Sequence, residues 1–99
     1  MLNITKTFDE QALTVALEGR LDTVTAPDLE TALRDDLEDA NTLTLDLEKL
    51  EYISSAGLRV LLSAQKKMLP RGGMKLVRVG APIMEIFDVT GFSDILTIE

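Results

Sequence analysis

Two adjacent serines, Ser54 and Ser55, are followed by Ala56 and Gly57 at the start of a run with helical period. A serine in that position can cap a helix, its oxygen accepting from a free N–H two or three residues on. The spacing allows the helix to start at either serine. Serine as a nucleophile would need a base beside it, and the chain contains no histidine and no cysteine. Ser-His triads, thiol catalysis, disulfides and the usual zinc sites are therefore excluded. A carboxylate acid–base pair or a carboxylate-only metal site is what chemistry remains. Arg71-Gly72-Gly73 has neither the spacing nor the Lys-Ser/Thr ending of a phosphate-binding loop. These residue types point to a binding protein, not an enzyme, and call for no cofactor. A second polar group, Asp22-Thr23, follows Gly19-Arg20-Leu21. Asp22 is either a loop acid bonded to its own backbone or part of the same working surface as the serines.

Some framework must hold these two groups. Leu13, Val15 and Leu17 alternate with smaller or more polar residues, as in a strand with one buried face. Leu2 to Thr7 could pair with it as a hairpin across Asp9-Glu10-Gln11. Residues 26–38 have helical period, with Leu29, Ala32, Leu33 and Leu37 on one stripe. Thr25 is placed as its N-cap, Asp28 as capping-box partner and Pro27 in its first turn. Leu43, Leu45 and Leu47 mark another half-buried strand, followed by a short connection over 48–53. A second helix runs to Leu69, with Leu58, Leu61, Leu62, Gln65, Met68 and Leu69 inward, and ends at Pro70 and Gly72-Gly73. Residues 74–79 read as a strand and Pro82 to about Val89 as a short helix ended by Gly91. A turn at 92–94 and a last strand at 96–98 complete an order β-β-α-β-α-β-α-β. That order predicts one α/β domain over residues 1–99. Its sheet is mixed, mostly parallel and of about five strands, with helices packed on it. Both candidate groups then lie at carboxyl ends of strands, where α/β folds gather functional loops. Gly57 is expected to allow close helix–sheet packing, and Met74 and Met84 to fill core.

The net charge of −7 argues against nucleic acid and anionic membrane as partners. No apolar run approaches the roughly 20 residues of a membrane span, so no direct membrane insertion is expected. The N-terminus lacks a secretion signal, which fits a cytoplasmic protein. Charge is uneven: residues 1–57 carry 13 acids and 4 bases, and residues 58–99 carry 4 acids and 6 bases.

Gly-x-Leu-Asp at 19–22 and DLEKLEYISSAGLRVLL at 46–62, in this order and spacing, resemble the two signatures of the STAS family. This family includes the bacterial anti-sigma factor antagonists, and the likeness runs over essentially the whole chain. It implies an anti-sigma factor antagonist whose unphosphorylated form binds a kinase-type anti-sigma factor and frees the sigma factor. It further implies phosphorylation of Ser55 by that kinase, with a phosphatase resetting the cycle. Asp22, Thr23, Ser54, Ser55, Ala56, Gly57 and Arg59 are the partner-binding residues so implied, and Arg59 stands at helical spacing to reach a phosphate on Ser55. Ser54 occupies the place of the family's usual Asp. The alternative is a STAS subunit without a phosphorylation cycle, attached to a lipid or anion transport complex.

Overall fold

The computed structural model describes residues 2–99. β1 (Leu2–Asp9) and β2 (Ala12–Leu21) form an antiparallel hairpin through Glu10 and Gln11, with Phe8 opposite Leu13. β3 (Thr42–Ile53) lies parallel to β2, and β4 (Met74–Val77) parallel to β3, giving the sheet order β1-β2-β3-β4. Along β2 and the first half of β3, every second residue is buried: Leu13, Val15, Leu17 and Leu43, Leu45, Leu47. The sheet is thus covered on one face, by α1 (Ala26–Arg34), α3 (Ser55–Met68) and α4 (Ala81–Thr90), with short α2 (Asp36–Asp39) beside them.

The α/β architecture agrees with the sequence pattern, and five local features depart from it. First, β3 does not stop at Leu47 but runs on to Ile53. Its register against β2 shifts twice, between Ala16 and Glu18 and between Gly19 and Arg20, and each time β3 carries the extra residue. These bulges change the spacing of buried positions from two to three, Leu47-Leu50-Ile53, which hides a strand from a period-two reading. Second, the helix expected over 26–38 breaks at Asp35. Asp35, Asp36, Glu38 and Asp39 crowd negative charge onto the negative end of the helix. The guanidinium of Arg71 offsets it, donating to the carbonyls of Leu37, Glu38 and Ala40.

Third, β4 ends at Val77 rather than 79, because Arg78 adopts a left-handed backbone (φ 54°), an uncommon state for a side-chain-bearing residue. Its guanidinium grips both carboxylate oxygens of Asp46, and this bond holds the Asp46 carboxyl below its ordinary range. Fourth, the predicted last strand is reduced to a single bridge, Ile98 to Leu76, so the sheet has four strands. Fifth, the inner stripe of α3 includes Val60 and Ala64, while Leu62 is half-buried and Leu69 is 66% exposed. The stripe is wide because α3 meets both the sheet and α1. Gly91 ends α4 in the left-handed conformation (φ 80°), as its position after the helix suggested.

Candidate functional site

Parallel pairing continues to the last residues of β2 and β3, where Arg20 faces Tyr52 and Leu21 faces Ile53. The two strand-to-helix junctions are therefore side by side. The Ser54 N–H donates to the Leu21 carbonyl at 2.9 Å, stitching them together. Beneath that bond, buried Gly57 presses onto β2. A Cβ on Gly57 would lie 2.7 Å from Leu21 Cγ, 2.9 Å from Ile53 Cγ1 and 3.0 Å from the Leu21 carbonyl oxygen. Only a glycine lets α3 start this close to the strands, so the packing role expected of Gly57 is what the geometry shows.

The two serines have separate positions. Ser54 has extended backbone (φ −95°, ψ 175°) and is the N-cap of α3, its Oγ accepting from the Gly57 N–H at 3.3 Å. Ser55 is the first helical residue; it is exposed, and among the described residues its hydroxyl has no hydrogen-bond partner. Capping thus falls to Ser54 and leaves Ser55 uncommitted. Serine and aspartate are about equally good N-caps. Ser54 therefore supplies the cap that an aspartate would, while contributing no charge.

At the other junction, the capping box expected from Thr25 and Asp28 does not form. Thr25 has helical backbone and its hydroxyl turns back, accepting from the Asp22 N–H at 2.9 Å and donating to the Arg20 carbonyl at 2.8 Å. Asp22 caps the turn instead, its Oδ1 accepting from the N–H groups of Val24 and Thr25. The Thr25 N–H foremost, then the Thr25 hydroxyl, the Val24 N–H and Arg20, holds the Asp22 carboxyl below its ordinary range against a smaller opposing effect of desolvation. Asp22 is thus a neighbour of the serine turn through Leu21, but its carboxylate serves its own loop.

Thr23, Ala56 and Arg59 come together along the upper end of a groove of about 320 Å³ between α1 and α3. Arg59 is exposed one helical turn beyond Ser55 and makes no ion pair among the described residues. One feature was missed in the sequence: Arg20 stacks on the ring of Tyr52, 4.5 Å from its centroid, with Val24 81% exposed nearby in the loop. Arg20 and Tyr52 are 32 positions apart and meet only through the bulged register, so spacing alone carried no signal. Among the described residues no group of His, Cys, Asp or Glu is placed to hold a metal ion, and no helix is long and apolar enough to cross a membrane.

Comparison with known proteins agrees with this geometry. The anti-sigma-B factor antagonist of Bacillus subtilis is 30% identical over 98 residues, covering 98% of this chain and 90% of that protein. The anti-sigma-B factor antagonist of Listeria monocytogenes is 29% identical, covering 95% and 84%. The crystal structure of an anti-sigma factor antagonist from Mycobacterium paratuberculosis superposes with a TM-score of 0.89 at 25% identity, covering 99% of this chain and 85% of that one. The STAS domain description matches residues 3–99, and the chain belongs to the STAS domain family.

Proposed function

We propose that this protein is an anti-sigma factor antagonist of the cytoplasm, switched by phosphorylation of Ser55. In the unphosphorylated state it binds a kinase-type anti-sigma factor and thereby releases the sigma factor. The kinase transfers the γ-phosphoryl group of ATP to the Ser55 hydroxyl, and a phosphatase hydrolyses the ester. The observation that carries this reading is the free, exposed Ser55 hydroxyl on a helix whose cap is supplied by Ser54. The antagonist relatives, aligned over nearly the whole chain, support the same conclusion.

The placement also explains why a phosphate would act on binding and not on folding. It adds about −1.5 to −2 charges at a helix N-terminus. Negative charge there is favoured, by about 0.3–1 kcal/mol. The core beneath is untouched, so the domain stays folded while the exposed face around Thr23, Ala56 and Arg59 gains bulk and charge. Desolvating that charge against a partner opposes docking.

The test is incubation with ATP and the anti-sigma factor kinase of the native organism, followed by mass spectrometry. Phosphate is expected on Ser55, none on the Ser55→Ala variant, and Ser55→Ala should bind the kinase constitutively while Ser55→Asp binds weakly. A protein that stays unmodified at Ser55 would end this reading and favour a STAS subunit of a transport complex.

A further inference from the structure

The chain has 10 lysines and arginines against 17 acids, so a cation left without an acidic partner needs a reason. Lys6, Arg20, Lys75 and Arg78 make ion pairs, and Arg71 holds backbone carbonyls. Among the described residues, Arg34, Lys49, Arg59, Lys66 and Lys67 have neither. Four of these five lie on α1 and α3, and three of them, Arg34, Arg59 and Lys67, line the seam between those helices.

Two adjoining hollows make up that seam. Its upper part begins at Thr23 and Ala56 beside the serine turn, and its lower part, about 300 Å³, reaches Lys67; Glu30, Val60 and Ser63 line both. The floor is formed by buried Val60, Ala64 and Leu33, and the charged side chains stand along the rim. α3 contains no acid, and Glu30 is the one acid in the lining. The lining itself carries three cations against one acid on a protein of net charge −7, with the acids of residues 35–39 following Arg34 beyond its lower end. From Ala56 to Lys67 the seam runs about 17 Å, and Arg59 and Lys67 are separated by about 12 Å along the helix.

We propose that this groove docks an acidic peptide segment of the protein that acts on Ser55, a contact that rests on the reading of Ser55 above. Carboxylates on that segment would meet Arg59 in the upper part and Arg34 and Lys67 in the lower part. A protein segment fits better than an anionic membrane, because the acidic whole would be repelled by such a surface. Rim charges of this kind mainly speed association and set its salt dependence.

The experiment measures binding of the purified anti-sigma factor kinase across a salt series to four proteins. These are the wild type, Arg34→Glu/Lys67→Glu, the charge-matched control Lys49→Glu/Lys66→Glu outside the groove, and Ser55→Asp. The groove double variant should weaken binding about tenfold, chiefly through slower association, and flatten the salt dependence. The control should change affinity less than about threefold, and Arg34→Gln/Lys67→Gln should fall between. Equal effects of the two double variants, or no effect of the groove pair while Ser55→Asp still weakens binding, would overturn the groove alone. Wild-type affinity of Ser55→Asp would instead bring down the reading of the serine, and the groove's partner with it. Binding to phosphatidylglycerol vesicles that depends on Arg34 and Lys67, with kinase affinity unchanged, also overturns the proposal.

Discussion

The two strand-to-helix junctions lie side by side, yet they are held by different physics. Between β2 and α1 the chain takes four residues, 22–25, and fixes them with a hydrogen-bond network from Asp22 and Thr25 to neighbouring backbone groups. Between β3 and α3 it takes one residue, Ser54, and relies on close contact of Gly57 with Leu21 and Ile53 plus a single cap bond. In the first junction the polar side chains are consumed by structure. In the second, packing does the positioning, and the Ser55 hydroxyl is left over. A reactive group can be both well placed and unengaged when the backbone under it is fixed by contact and not by the group itself.

This contrast can be broken most forcefully at Gly57. Gly57→Val should push α3 off β2 and destabilise the domain by about 3 kcal/mol in urea unfolding; a change under about 1 would mean the packing is slack. Thr25→Val keeps the shape but deprives the Asp22 N–H of its acceptor, and should cost about 1–2 kcal/mol by the same measurement. Ser54→Ala should cost about 1 kcal/mol, whereas Ser55→Ala should stay within about 0.5. If Ser55→Ala proved the costlier of the two, the assignment of cap and acceptor would have to be exchanged. The smallest effect is a pH dependence. The carboxyl of Asp22 is held below its ordinary value, so it binds protons less readily in the folded state. Its stabilisation is present above the unfolded carboxylate pKa of about 3.9 and is lost as pH falls through the lower, folded value. Asp22→Asn should flatten the fall in thermal midpoint below about pH 4, and an unchanged acid slope would remove Asp22 as its source.

Elements with one dominant signal were legible in the sequence. Pro82 and Gly91 bracket α4, and Leu13, Val15 and Leu17 mark β2. The second half of β3 was not, because two bulges replace alternation with a period of three. The stop of β4 depends on Arg78 finding Asp46 across the sheet, a tertiary bond that no local pattern announces. At the site, Ser54, Ser55 and Gly57 could be picked out from type and position. The separation of cap from free hydroxyl could not, since both serines suit either place and only the end of β3 at Ile53 decides between them. The sequence pattern marks Asp22 as a polar loop residue and Thr25 as the N-cap of α1. Their exchange of capping roles follows from Thr25 turning inward to the Arg20 carbonyl, which requires the strand end to be in place first.

The placement of Ser54 and Ser55 has a consequence for inheritance. Foldedness depends on the first of them and barely on the second, so selection for a stable chain does not see a change at position 55. Under the switch proposed for Ser55, a lineage would lose its regulation there in one mutation and keep a soundly folded, permanently active binder, and the reverse mutation would restore control without any compensating change elsewhere.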